Sequence, residues 1–256
     1  MFWRAAVWFA LLARLALAEE SGDRLTRAGI KEFTAAYANW DAAGFAAAAS
    51  LFRQAAANPP ASCANDYWLG VAQFHRLLQL QSLPASRTNL LAAAAAMDDA
   101  LAALEAAVSL DERHAESHAL LGALYGMKID GSLWRAARFG PRVAKHQKRA
   151  LEFGPENPRV RYLLGACQFH TAKSPAARQE ALATLLLAEQ LYEAEARRAP
   201  GPLEPRWGLS SCLTFIGRTY ELLGRHPQAA GYFRKALALH PADHLAKAGL
   251  ARAEQK

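Results

Sequence analysis

The sequence has 256 residues, 52% of them hydrophobic and 21% charged, with a formal net charge of +7. That is enough apolar content for a sizeable core. Alanine is abundant, β-branched residues are scarce and no alternating apolar run reads as a strand, so the composition excludes a β-rich fold and favours helix throughout. The positive charge is spread over many segments, which reads as a solvated basic surface and argues against nucleic-acid binding; an anionic partner or a membrane headgroup surface stays open.

The first segment, MFWRAAVWFALLARLALAEE, has the layout of a secretory leader. Arg4 supplies the positive start, Ala5 to Ala13 the apolar core, and Ala16-Leu17-Ala18 the small-x-small site, with Glu19 just after. Arg14 interrupts the apolar run, which falls short of the ~20 residues that span a bilayer. The expectation is export to a bacterial periplasm or beyond, with cleavage near Ala18 and no stable membrane span. The alternative is an uncleaved N-terminal helix on a cytosolic protein.

The remainder, 19–256, reads as one helical domain of five units and a cap. In the unit 23–60, a helix with Leu25, Ile30, Phe33 and Tyr37 precedes a second one carrying Ala48, Phe52 and Ala55. The unit 62–112 has Leu69-Gly70 in its first helix, a longer connection over 81–89, then an alanine-rich helix from Leu90 to Leu110 with Ala100, Leu104 and Ala107 in phase. In the unit 113–157, Leu121, Gly122 and Tyr125 are followed by an insertion, GMKIDGSLWRAARFGPR, which reads as an irregular loop with at most one helical turn, with the second helix starting at Pro141. The unit 158–202 has Leu164-Gly165, a short connection, and a helix over 177–198. Trp207 opens the unit 207–241, or packs on the one before it, and 242–256 is an amphipathic cap.

The unit 207–241 carries the clearest pattern. Leu213, Ile216, Gly217 and Tyr220 are followed by Gly224, then Ala229, Phe233, Ala236 and Pro241. Ile216 and Tyr220 share a helix face. Gly217 admits a close crossing, Gly224 suits a helix end, and Phe233 fills the gap between small residues. The pattern resembles a tetratricopeptide repeat, a helix–turn–helix unit of about 34 residues, with Leu213 where that family often has Trp. The resemblance implies an all-α, right-handed solenoid of four to five antiparallel helix pairs plus a C-terminal capping helix. The motif glycines 70, 122, 165 and 217 are spaced by 52, 43 and 52 residues. Each unit is therefore longer than a simple repeat, with the excess expected between its two helices.

Two stretches repeat beyond the needs of packing. Tyr67 to His75 and Tyr162 to His170 both read Tyr-x-Leu-Gly-x2-Gln-Phe-His. By the resemblance, a partner-binding groove is lined by first-helix residues three before the motif Gly and one, four and five after it. Those offsets select Tyr67, Val71, Phe74 and His75, then Tyr162, Ala166, Phe169 and His170. In the last unit they select Thr214, Arg218, Glu221 and Leu222, with Arg218 available to an anionic group. In the third they select Ala119, Ala123, Gly126 and Met127. The implied partner is a protein or an extended peptide. The alternative is that the insertions fold over the groove and these rings are core.

No catalytic constellation, cofactor motif or metal-ligand spacing is apparent. His114 and His118 lie one helical turn apart but lack a third ligand, and Cys63, Cys167 and Cys212 are widely separated, with any pairing undetermined. The reading is a non-catalytic scaffold or adaptor of the cell envelope. The competing classes are an enzyme or metal protein on a helical frame, and a self-assembling structural protein; the oligomeric state is left open.

Overall fold

The computed structural model describes residues 22–255, and all regular structure among them is α-helical. The expected leader and its cleavage site lie outside the described residues. The helices are α1 (22–39), α2 (Ala42–Ala56), α3 (Cys63–Ser82), α4 (Arg87–Leu110), α5 (Ala115–Ile129), α6 (Leu133–Phe153), α7 (Pro158–Thr171), α8 (Pro175–Ala196), α9 (Leu209–Leu222), α10 (His226–Leu239) and α11 (His244–Glu254). Short polar side chains start many of them. Asp41, Ser86, Ser132, Asn157, Ser174 and Asp243 each accept hydrogen bonds from backbone N–H groups of the following first turn. These are donors that the helix itself leaves unpaired.

Among the described residues α3–α4, α5–α6, α7–α8 and α9–α10 pack as antiparallel pairs, α1 and α2 meet through Phe33, Phe45 and Phe52, and α11 covers the end of the last pair. This is the all-α, tetratricopeptide-like architecture that the sequence pattern implies. The chain forms two compact units: one holds α1 as far as Tyr37 and α2 to α4, to Glu112, and the other begins at Arg113 and takes in Ala38–Trp40. Within the second unit α7 packs against α5 on one side and α9 on the other, so successive first helices lie side by side.

The motif residues do what their spacing requires. Leu213, Ile216, Ala229, Phe233 and Ala236 are all buried. A Cβ on Gly217 would lie 2.8 Å from the Phe233 ring, so only glycine admits this crossing. Gly70 meets Leu104 and Gly165 meets Leu185 in the same way, at 2.5 and 2.7 Å. The first pair has such a contact as well, missing from the sequence reading: a Cβ on Gly29 would lie 2.6 Å from Phe52.

The lengthening of the units lies mostly in helix, which corrects the expectation of inserted loops. The turn within the second pair is only 83–86, because α3 and α4 run to 20 and 24 residues, against 14 each for α9 and α10. Of the segment read as an irregular loop, 126–129 end α5, 130–132 form the turn, and 133–140 are the first two turns of α6. Ser132 caps that helix through the Arg135 N–H, and Pro141 sits inside it on the exposed side. There water can take the carbonyl that the missing proline N–H leaves unpaired. Among the described residues a true long connection occurs only over 197–208, where Trp207 is buried and packs on Tyr162 at 6.5 Å.

All three cysteines are free thiols. Burial pushes Cys63 and Cys167 up to about 11, with Asp111 and Asp66 adding to the shift at Cys63, and drives Cys212 higher still. At neutral pH none of them is a thiolate, so they behave as small hydrophobes.

Candidate functional site

The two matching stretches that select groove residues end up in different environments. In the first unit Tyr67, Val71, Phe74 and His75 are 2%, 0%, 4% and 3% exposed. The rings of Phe33 and Tyr37 on α1 and Phe45 on α2 lie 5.1, 5.2 and 5.8 Å from the His75 ring, and Phe74 stands edge-on to it at 5.3 Å. The longer first pair thus supplies an aromatic wall. His75 is core here, and no partner reaches these four side chains in this conformation.

Burial lowers the His75 imidazole to about 4, against a smaller opposing effect of the hydrogen bond that its Nδ1–H donates to the Val71 carbonyl, at 2.8 Å. The folded protein therefore holds His75 neutral while the unfolded chain binds a proton below about pH 6.5. The stabilisation is complete above that pH and is lost as pH falls towards 4. Urea unfolding at about pH 7.5 and about pH 4.5 should show a loss of about 2–3 kcal/mol from this group. That part of the loss should disappear in His75→Phe; an unchanged pH dependence would refute the assignment.

In the second unit the corresponding residues gather around α7 and α9. Tyr162 is buried, Ala166 is half-buried, Phe169 is 8% exposed and His170 is exposed. Phe215, on α9, joins them although the offsets did not select it. It packs edge-to-face with Phe169 at 5.2 Å and with His170 at 5.5 Å, and lies 6.2 Å from Tyr162. The only hint of Phe215 in the sequence was an aromatic residue beside Ile216; two residues before the motif Gly is not a groove offset.

Arg218 lies over this cluster, its guanidinium carbon 4.7 Å from the Phe169 ring centre and 5.3 Å from that of Phe215. Half-burial against the rings, and then the charge of Arg252, hold its pKa below the ordinary arginine range. No carboxylate among the described residues comes within ion-pairing distance of it. Its acidic neighbours are engaged elsewhere: Glu221 takes both arms of Arg252 at 2.6 and 2.9 Å, and Asp243 caps α11 and accepts from Thr214 at 2.6 Å. The His170 imidazole is lowered by desolvation against its neighbours and by the Arg218 charge, which favours its neutral form. The face therefore offers one fixed cation, an imidazole and the edges of two rings.

The other selected positions do other work. Thr214 is buried and, with Glu221, ties α9 to α11. Leu222 is 48% exposed at the edge of the face. Ala119 and Ala123 are buried. His114 and His118 do not converge on a shared ligand site: His114 caps α5 through the Ser117 N–H, and His118 Nδ1 lies 2.9 Å from Nδ1 of His146 on α6. Among the described residues no group of three or more His, Cys, Asp and Glu side chains is placed to hold a metal ion.

No family of known proteins matches the chain by sequence, and no curated protein does. Solved structures do. The chain is similar to TTC0263, a thermophilic tetratricopeptide-repeat protein of Thermus thermophilus, at 17% identity and a TM-score of 0.63 over 92% of this chain and 100% of that one. Weaker likenesses are to MamA, at 16% identity and TM-score 0.42 over 68% and 85% of the two chains, and to yeast Tom70, at 15% and 0.46 over 84% and 52%. The first shows the fold; the other two are too distant to add to it.

Proposed function

We propose that this chain, which shares its fold with a tetratricopeptide-repeat protein, is a non-catalytic scaffold holding an extended peptide or protein segment on the α7–α9 face of its second unit. The observation that carries the reading is Arg218: a cation stacked on two aromatic rings, half-buried, with no carboxylate in reach among the described residues. Such a group suits a carboxylate, from an acidic side chain or a chain terminus, while Phe169, Phe215 and His170 supply contact area at low entropic cost. The buried set Tyr67, Val71, Phe74 and His75 supports the fold of the first unit in this reading.

The test is a panel of extended peptides, each with a free C-terminal carboxylate and as the amide, with and without acidic side chains, measured by fluorescence polarisation. Acidic or free-acid peptides should bind best, and Arg218→Gln should weaken them about tenfold or more, in line with the loss of a charge-assisted contact. Equal binding by the variant and wild type, or the absence of any binding peptide, would remove the proposal. Action in the cell envelope is the further part of this reading and rests on residues 1–18 alone. The intact mass of protein purified from the native cell tests it, because export predicts a chain lacking those residues.

A further inference from the structure

The start of α6 is a second feature that packing does not explain. Leu133 is 89% exposed and Trp134 68%, and both stand at the tip of the hairpin formed by α5 and α6. At about 100° per residue they share one exposed side of α6 with Ala137, Pro141 and Ala144, whereas His146 and Ala150, on the opposite side, are buried. The flank of that apolar strip is basic. The helix has six Lys and Arg residues and a single acid, Glu152, in its last turn. Arg138, Lys145 and Lys148 are all exposed, and Arg138 lies over the Trp134 ring at 5.6 Å. The acids near this helix are set against its outlying cations, Asp130 beside Arg135 at 3.6 Å and Glu152 beside Arg149 at 3.5 Å.

We propose that α6 is a membrane-surface element that docks the protein on anionic phospholipid. An exposed apolar strip with tryptophan at its end, bordered by Lys and Arg and almost free of acid, is the layout of a helix lying in the headgroup region. The cations complement a negative lipid surface. The apolar tip favours lipid over nucleic acid, because a phosphate backbone would claim Arg138, Lys145 and Lys148 while leaving Leu133 and Trp134 in water. The contact is peripheral, since no helix among the described residues is long and apolar enough to cross a membrane. It uses a different surface from the peptide site and does not depend on it.

Flotation of the full chain with vesicles of phosphatidylcholine, alone or mixed with phosphatidylglycerol, tests this. Wild type should bind the mixed vesicles about tenfold better, and added salt should weaken that binding. Leu133→Ser with Trp134→Ser, and separately Arg138→Gln with Lys145→Gln and Lys148→Gln, should each lower binding several-fold. Circular dichroism should be unchanged, as these side chains are exposed. Trp134→Phe should still bind but lose part of the fluorescence quenching by brominated lipid. No preference for the anionic vesicles, wild-type binding by the folded variants, quenching unchanged in Trp134→Phe, or stronger binding to a nucleic acid through the same residues would each overturn the proposal.

Discussion

Replacing Arg159 with methionine should destabilise the second unit by about 3–5 kcal/mol, the usual cost of breaking a buried ion pair from one side. Arg159 is 2% exposed. Its Nε donates to Glu116 of α5 at 2.7 Å, and its two terminal nitrogens donate to the Glu195 carboxylate of α8 at 3.0 and 2.5 Å. One guanidinium on α7 thus joins the third pair to the fourth. Asn157 also donates to the Glu116 carboxylate at 2.7 Å, and both carboxylates are buried, at 9% and 7% side-chain exposure, so they have been withdrawn from water into a shared network. With Arg159 gone, the buried Glu116 carboxylate loses the cation that offsets its desolvation, and Glu195 keeps only the longer contacts to Arg198 and Arg206, both at 3.8 Å. Urea unfolding at neutral pH measures the loss. Adding Glu116→Gln and Glu195→Gln to Arg159→Met should recover much of it, because the cost lies in the stranded charges. A triple variant no more stable than the single one would show that packing by the arginine, and not charge, holds the two pairs together.

Phe233→Ala should cost a similar amount, about 3–5 kcal/mol, the range for a buried phenylalanine truncated to alanine. The ring is fully buried between Gly217 of α9 and Gly249 of α11. The glycines give this prediction a second, sharper part. Gly217→Ala alone should destabilise by about 1–3 kcal/mol, because its Cβ would meet the Phe233 ring at 2.8 Å and overpack the crossing. In the Phe233→Ala background the same change should stabilise by up to about 1 kcal/mol, since the space is then open and alanine is the better helix former. Thermal or urea unfolding of the four proteins gives the coupling directly. A Gly217→Ala effect of the same sign in both backgrounds would mean that the ring does not set the distance between these helices.

How much of this was legible in the sequence follows from how local each feature is. Helix type, the crossing glycines at 70, 165 and 217, and the stripe through Ala229, Phe233 and Ala236 depend on spacing along one helix or one hairpin, and the linear pattern holds that information. Arg159 left no trace in it. Its partners lie 43 residues before it and 36 after it, and an arginine bound for burial looks like any surface arginine until the other two helices are in place.

Residues 133–140 show a local rule being overridden. Gly140-Pro141 reads as the end of a loop and the start of a helix, yet α6 already runs through it, because Ser132 caps an earlier start and the proline faces solvent where its missing hydrogen bond costs little. The candidate groove divides in the same way. Tyr67 to His75 and Tyr162 to His170 are near copies, and the sequence treats them alike. In the first unit Phe33, Tyr37 and Phe45 close around His75, while around His170 the neighbours are Phe169, Phe215 and Arg218, and the imidazole stays exposed. By itself the sequence determined that this chain is a set of helix pairs and where their helices cross, because those are short-range consequences of residue size and helical period. Tertiary structure alone decided which copy of the repeated stretch is core and which is surface, because burial depends on the side chains that neighbouring helices bring to it.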